Sequence, residues 1–353
     1  MAQKKEVKLE NIAKELGISI VSVSNALKGK KGVSEQLRLK VMEKAEQLGY
    51  QVKPAEHVEE KKSYRIGVIV AERYIKEFPS FYMDIYKRIA QETTKRGSFT
   101  ILEIINEEKE RMEQEVSVFS DIEIQGLIII GELNPTYIKE AIAFCQVPVV
   151  CVDYYGTEKE VDYIVSDSYG GMQAVTQYLI DHGHKEIVFL GTIEATNSIM
   201  DRYQGYCKAM TKNRFPERKD WVISDRSKDG YGYQIDFELP KELPTAFVCN
   251  CDRTAYLLIE KLEQRGYRVP EDISVVGFDH YGYQSQEKIK LVTYENDEKA
   301  IAQISVNTLM KKMEGKRKCG EIRIVEGKLI EGNTVGNPSF NHETEKKLGK
   351  GIE

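Results

Sequence analysis

The sequence lacks any long apolar run and any framework of paired cysteines. Its 353 residues contain no stretch of 18 or more apolar residues, and the opening MAQKKEVKLE holds no apolar signal core. We therefore expect a cytoplasmic protein with no membrane segment. The six cysteines do not suggest disulfide cross-links in a chain of this length. Four lie in apolar runs and are predicted to be small buried side chains: Cys145, Cys151, Cys249 and Cys251. Cys249 and Cys251 alternate in a strand-like stretch and should face opposite ways, which argues against a shared metal.

Known catalytic motifs are missing as well. The chain has no Gly-x-Ser-x-Gly turn, no phosphate-binding P-loop, no paired Cys motifs and no His-Glu-x-x-His. The segment GTIEATN follows a predicted strand but lacks the glycines of a dinucleotide-binding loop. No nucleophile stands beside a base, so we predict a binding protein rather than an enzyme, with no cofactor and no metal.

Charge is distributed unevenly along the chain. Residues 1–55 contain eleven Lys or Arg and six Glu, a balance of +5, and since the whole chain carries −5 the remainder carries −10. A basic segment joined to an acidic body is typical of a small nucleic-acid reader attached to a sensor. A solvated basic face would give the same balance. The length suits two or three domains.

Residues 1–55 carry the pattern of three short helices. Gly17 is predicted to end the first helix, Ser19 to cap the second and Ser34 to cap the third, which ends at Gly49. A three-residue turn between the first two makes a helix-turn-helix unit, and the fold expected here is an all-α head. Helical spacing predicts these inward residues: Leu9, Ile12, Ala13, Leu16, Val23, Ala26, Leu27, Leu37, Val41, Ala45 and Leu48.

The outward residues of the second helix favour DNA binding over a bundle used for protein contact. Short polar groups suit base edges, and nearby lysines can neutralise phosphates. We therefore expect double-stranded operator DNA as a partner. The polar candidates are Ser22, Ser24, Asn25, Lys28, Lys30 and Lys31.

The head resembles that of the lactose/galactose-repressor (LacI/GalR) family. The resemblance implies that Ile20, Val21 and Asn25 read the major groove. The family usually carries Arg at the last of these positions, which prefers guanine, whereas Asn prefers adenine. The matching residues are Ile12-Ala13, Gly17-Ile18-Ser19, Val23-Ser24, Leu27, Val33-Ser34 and Leu48-Gly49-Tyr50.

Residues 56–63 are predicted to link the head to the body. In the family this stretch forms a hinge helix whose leucine wedges into the minor groove, and Val58 falls at that position here. The stretch is one residue short, and Glu56, Glu59 and Glu60 are poorly placed beside phosphates. A solvated linker and a working hinge helix both remain open, and we expect a weak wedge.

Residues 64–340 alternate apolar strand runs with helical segments in two successive rounds. This rhythm predicts an α/β body of two Rossmann-like lobes, with a ligand at the strand ends between them. The resemblance extends over this region and implies a periplasmic-binding-protein-like body with three crossovers between the lobes. Matching segments are Arg202-x-x-Gly205-Tyr206, Asp252, Val269-Pro270-Glu271-Asp272-Ile273-Ser274-Val275 and Gly277-Phe278-Asp279.

Candidate effector-binding residues follow from the strand ends. The carboxylates of Asp252 and Asp279 can accept hydroxyl hydrogen bonds, and Arg202 offers a fork of donors. Phe81 and Tyr82 are predicted to open the first helix of the first lobe, where either can cover an apolar ring face. We expect a sugar as the small-molecule effector, with a nucleobase as the alternative. Two further strand-end residues are expected to be structural, namely Asp153 and Asp167. His182 and His184 flank a helix end and are expected to cap it rather than bind metal.

A free solute-binding protein would also fit the body, but the basic head and the missing signal core speak against it. The polar tail, residues 341–353, lacks a leucine heptad. A homodimer is therefore expected rather than a tetramer.

The first testable prediction separates base reading from phosphate contact. Asn25→Ala should cost about 1–3 kcal/mol at one operator position and relax specificity there, because its bidentate amide is lost. Lys28→Ala should weaken binding to all duplexes alike. Binding measured on a set of single-base operator variants tests this, and a uniform loss in both mutants would make Asn25 a phosphate contact.

Overall fold

The computed structural model contains two compact units, residues 1–62 and 63–353. Five predicted features lie outside the described residues: Lys28, Lys30, Lys31, Val58 and the tail. The structure describes residues 7–27, 32–50, 62–76, 80–216, 218–226, 237–281, 288–318 and 320–338.

The head is a three-helix unit, as predicted. Its helices are α1 (Leu9–Leu16), α2 (Ile20–Leu27) and α3 (Glu35–Gln47). Ile12, Val23 and Val41, one from each helix, are fully buried at its centre. The remaining predicted inward residues also belong to or pack against this core.

The helix ends of the head form where the sequence indicates. Gly17 takes a left-handed φ of 64°, which glycine adopts without strain. Ser19 Oγ accepts the Ser22 N–H at 3.0 Å, and Ser34 Oγ accepts the Leu37 N–H at 3.3 Å. Each hydroxyl therefore satisfies an N–H that the first turn of a helix leaves without a partner.

The first lobe of the body is a six-stranded parallel sheet with helices packed on it. The strand order is β11-β5-β4-β3-β1-β2, and Val68 in β1 lies opposite both Leu102 and Ile128. Helices α4 and α10 pack side by side, with α10 also contacting β3, β4 and β5. The elements are β1 (Arg65–Ala71), α4 (Phe81–Lys95), β2 (Phe99–Ile105), α5 (Glu107–Glu110), β3 (Gly126–Ile130), α6 (Pro135–Cys145), β4 (Val149–Val152), β5 (Asp162–Ser166), α10 (Glu298–Met313) and β11 (Ile322–Val325).

The second lobe has a four-stranded parallel sheet in the order β7-β6-β8-β9 and a separate antiparallel pair, β10-β12. Its central strands are fully buried, as expected for a sheet covered on both faces. The elements are α7 (Ser168–Asp181), β6 (Ile187–Leu190), α8 (Asn197–Lys212), β7 (Val222–Ile223), β8 (Ala246–Cys249), α9 (Asp252–Gln264), β9 (Ser274–Val276), β10 (Thr293–Glu295) and β12 (Lys328–Ile330).

The chain passes between the lobes three times, which confirms the expected crossovers. The passages run from β5 to α7, from β10 to α10 and from β11 to β12. The Asp167 N–H donates to the Val325 carbonyl at 3.0 Å, so the first and third passages are hydrogen-bonded to each other.

Two cysteine predictions are wrong. Strand β8 ends at Cys249, and Cys251 has already turned to precede α9, so the two residues do not alternate within one strand. Cys151 and Cys249 are buried, whereas Cys145 and Cys251 are only partly buried because each lies at a helix end. Within the described residues, no group of three or more His, Cys, Asp or Glu side chains could hold a metal ion.

His182 and His184 make structural contacts. His182 ends α7, where its Nδ1 lies 2.8 Å from the Tyr178 carbonyl oxygen. His184 Nε2 lies 2.9 Å from the Gly336 carbonyl oxygen, and burial lowers its pKa. None of the helices in the described ranges is long and apolar enough to cross a membrane.

Gly205 allows α7 and α8 to approach closely, and Gly205→Ala tests that approach. A Cβ there would lie 2.2 Å from the Tyr169 carbonyl oxygen, which is backbone and cannot rotate away. We expect a loss of about 1–3 kcal/mol or more in the free energy of unfolding, measured by chemical denaturation. Gln204→Ala, at the exposed neighbouring position, should change it little. Equal stability of both variants would contradict the close packing.

Candidate functional site

Helix α2 presents the predicted base-reading residues on its open side. Ile20 and Val21, in its first turn, are 46% and 67% exposed. Ser22, Ser24 and Asn25 are partly exposed further along the helix. The opposite side of α2 packs into the head core, so the helix has one structural face and one open face.

A cavity of about 90 Å³ lies between the two lobes. All five predicted effector residues line it: Phe81, Tyr82, Arg202, Asp252 and Asp279. Phe81 and Tyr82 open helix α4 of the first lobe, as predicted, while the other three come from the second lobe. Residues distant in sequence thus meet at the strand ends, the expected ligand position in open α/β sheets.

Arg202 is the central charged group of the cavity. It projects from α8, is only 5% exposed, and its Nη2 donates to Asp279 Oδ1 at 2.9 Å. Its Nη1 donates to the Asn250 carbonyl oxygen at 2.6 Å, and the guanidinium carbon lies 4.1 Å from the centre of the Phe278 ring. A buried guanidinium is tolerated only with such partners, so its position is tightly determined.

Asp279 is held in an uncommon backbone conformation. Its φ is 96° and that of His280 is 49°, both in the left-handed region that residues other than glycine rarely adopt. Asn296 Nδ2 also donates to Asp279 Oδ1, at 2.9 Å. Burial raises the pKa of Asp279, and Arg202 opposes that rise. Strain of this kind is common at binding sites because the surrounding structure must hold it in place.

Asp252 lines the cavity, but both of its carboxylate oxygens have protein partners. The Thr293 hydroxyl donates to Oδ1 at 2.6 Å and the Tyr281 N–H donates to Oδ2 at 2.8 Å. The side chain is 3% exposed. Asp252 therefore fixes the turn that carries Tyr281, a role that its position at a strand end did not indicate.

Asp153, expected to be structural, lies in the cavity instead. It follows β4 with a φ of 57°, and the Tyr82 hydroxyl donates to its Oδ2 at 2.9 Å. Burial raises its pKa to about 6, although the positive charge of Arg202 across the cleft acts to lower it. The strand-end signal that singled out Asp279 applied equally to Asp153. Asp167 does have the expected structural role, because its Oδ1 accepts the Gly170 N–H and caps α7.

Direct hydrogen bonds join the lobes beside the cavity. The Tyr281 hydroxyl donates to Asp84 Oδ2 at 2.8 Å, linking the second lobe to α4. The Asn197 N–H donates to Glu132 Oε2 at 2.7 Å, and Asn197 Nδ2 donates to the Tyr155 carbonyl oxygen at 2.8 Å. These hydrogen bonds tie the two lobes together beside the cavity.

The family models that match the chain cover both of its units. Residues 8–53 match the model for bacterial regulatory proteins of the lacI family, and residues 176–335 match a periplasmic binding protein-like domain.

The relatives and solved structures extend over nearly the whole chain. The HTH-type transcriptional repressor PurR of Histophilus somni is 25% identical over 327 residues, 91% of this chain and 97% of that protein. The transcriptional regulator CelR in complex with cellobiose is 20% identical with a TM-score of 0.65, covering 93% of this chain and 99% of that one. The lac repressor dimer bound to operator and the anti-inducer ONPF is 23% identical with a TM-score of 0.65, covering 94% and 100%.

The raised pKa of Asp153 predicts a specific pH dependence of stability. Its folded pKa of about 6 exceeds the ordinary value of 3.8, so the folded state binds the extra proton between these values and stability falls as pH rises through them. Asp153→Asn should raise the free energy of unfolding at pH 7.5, by up to about 3 kcal/mol, and this gain should vanish near pH 4.

Asp162→Asn is the matched control for that experiment. Burial opposes ionisation of Asp162, but hydrogen bonds from Arg317 and Lys312 lower its pKa, so this variant should be less stable than the parent at pH 7.5. Chemical denaturation across pH 4–8 measures both. An Asp153→Asn variant that is less stable than the parent at pH 7.5 would contradict the raised pKa of Asp153.

Proposed function

Because the chain belongs to the lacI family of bacterial regulatory proteins, we propose that it represses transcription from operator DNA under the control of an effector bound in the cleft. The family consists of DNA-binding regulators, and the chain is not an enzyme. The observation that carries the effector half of the proposal is the Arg202–Asp279 pair lining the inter-lobe cavity.

The effector is a sugar. Arg202 supplies only donors and Asp279 only acceptors, which together match vicinal hydroxyls that both donate and accept. Asp153, facing them from the first lobe, adds another acceptor. The relative CelR binds cellobiose, and this chain shares its fold. The cavity of about 90 Å³ is well below the roughly 300–1,000 Å³ of most ligand sites, so a sugar enters after the lobes separate.

A nucleobase is the second candidate, favoured by the aromatic lining. Phe81, Tyr82 and Tyr281 all line the cavity, and Phe81 lies edge-on to both tyrosines at centroid distances of 5.4 and 6.2 Å. Such rings can stack on a planar heterocycle as readily as they cover a sugar face.

The DNA half of the proposal places α2 in the major groove. Ile20, Val21 and Asn25 face base edges, with Ser22 and Ser24 beside the backbone. Lys28, Lys30 and Lys31 follow in sequence and can neutralise backbone phosphates, and the family resemblance places Val58 at the minor-groove wedge position.

Two copies of the chain act together. Strand β2 is an edge of the first-lobe sheet, pairs only with β1 among the described strands, and exposes Phe99 and Ile104. An edge strand of seven residues, five of them apolar, favours association with a second copy. A symmetric dimer matches a palindromic operator, and an effector that binds one lobe arrangement better than another changes the spacing of the two heads.

The proposed binding of the effector by Arg202 and Asp279 predicts which variants lose the effector response. A thermal-shift screen of sugars and nucleobases identifies the effector, since a ligand at 100 times its Kd adds about 2.7 kcal/mol of stability. Arg202→Met and Asp279→Asn should abolish the shift and the effect on operator binding, while operator binding without effector persists. Arg88→Met, which removes a partly exposed ion pair with Glu298, is the control and should respond normally.

Circular dichroism establishes that each variant is folded before it is compared. A normal effector response in Arg202→Met or Asp279→Asn would contradict the proposed role of this pair in binding the effector. If nucleobases shift the melting temperature and sugars do not, the proposal of a sugar effector is wrong and a nucleobase effector replaces it.

A further inference from the structure

The first turn of α2 exposes two apolar side chains where a DNA-reading helix is expected to be polar. Ile20 is 46% exposed and Val21 is 67% exposed, whereas Val23 and Ala26 on the same helix are buried. The core of the head is complete without Ile20 and Val21, because they are not among the residues that form or flank it. Their exposure is therefore not a by-product of packing within the head.

These two side chains lie at the end of α2 that meets base edges. In helix-turn-helix proteins the second helix enters the major groove, and its N-terminal residues contact the bases. Ile and Val can neither donate nor accept hydrogen bonds there. The apolar group that a base pair presents in the major groove is the 5-methyl group of thymine. Burying Ile20 or Val21 against that methyl removes apolar surface from water on both molecules.

Asn25 adds a complementary preference on the same side of the helix. It follows Val21 by four residues, and side chains with this spacing lie on one face. A side-chain amide pairs with adenine through N6 and N7. Apolar and amide side chains on one face thus favour A·T pairs over G·C pairs.

We propose that Ile20 and Val21 recognise thymine 5-methyl groups, so that each operator half-site is selected in part by a methyl contact rather than by hydrogen bonds. The inference rests on the proposed DNA-binding function and names the chemistry by which that function becomes specific. It assigns different bases to different residues: thymine methyls to Ile20 and Val21, and adenine to Asn25.

The test removes one methyl group at a time. Duplexes selected from a random library by the full-length chain define the half-site, and each thymine is then replaced by deoxyuridine, which lacks only the 5-methyl. Kd is measured by fluorescence anisotropy at fixed salt. We expect two positions per half-site at which deoxyuridine weakens binding about fourfold, the effect of one buried methylene-sized group.

Protein variants assign each methyl to its side chain. Val21→Ala and Ile20→Ala should each bind the thymine and uridine duplexes equally at one position and retain the discrimination at the other. Leu39→Ala removes a similarly exposed apolar side chain from α3 and should discriminate as the parent does. The conservative variant Val21→Ile keeps a branched apolar side chain at this position and should keep the preference for thymine.

Two results would overturn the inference while leaving the proposed function intact: uridine tolerated at every position, or discrimination that persists in both alanine variants. A chain that selects no duplex from the library would overturn the proposed function, and the inference with it.

Discussion

The arrangement of charged and polar groups in the cavity depends on the burial of one guanidinium group, that of Arg202. Arg202 lies where α8 meets the strand ends of the second lobe, and a charge so far from water requires fixed partners. It finds them in the Asp279 carboxylate and the Asn250 carbonyl oxygen, with the Phe278 ring below. Asp279 makes this contact from a left-handed backbone conformation, with a φ of 96°.

Charged and polar groups of both lobes lie around the same cavity. Asp153 extends the charge cluster from the first lobe, and its raised pKa records the cost of burying a carboxylate opposite Arg202. Tyr281 and Asn197 then join the lobes by hydrogen bonds to Asp84 and Glu132. Asp153 and Arg202, one from each lobe, both line the cavity beside these inter-lobe bonds. Under the proposed function, a ligand shifts the lobes only through its different affinity for two lobe arrangements.

Local signals in the sequence predicted most of the architecture. Cap residues such as Ser34, the alternation of strands and helices, and the start of α4 at Phe81 depend on neighbouring residues alone, and the structure agrees with them. The resemblance inferred from the sequence is likewise supported by a lacI-family match over residues 8–53 and a periplasmic-binding-protein-like match over residues 176–335. The placement of Arg202 and Asp279 at one cavity followed from the rule that parallel strand ends converge.

The roles of Asp153 and Asp252 could not be predicted in this way. Both end strands or open helices, but Asp252 is engaged by Thr293 and Tyr281, partners 41 and 29 residues away, while Asp153 faces the cavity. The Tyr281–Asp84 bond spans 197 residues and has no local signal. The strand position predicted for Cys251 is wrong because an apolar run does not reveal where a strand ends.

The most direct test of the account is the reciprocity between the cleft and the head. If an effector changes operator affinity by shifting the lobe arrangement, saturating operator DNA must change the effector's Kd by the same factor. Isothermal titration of the full-length chain with the screened effector, with and without operator, measures that factor. Equal factors in the two directions are the result we predict. An effector Kd that operator DNA leaves unchanged, while the effector alters operator binding, would contradict the coupling.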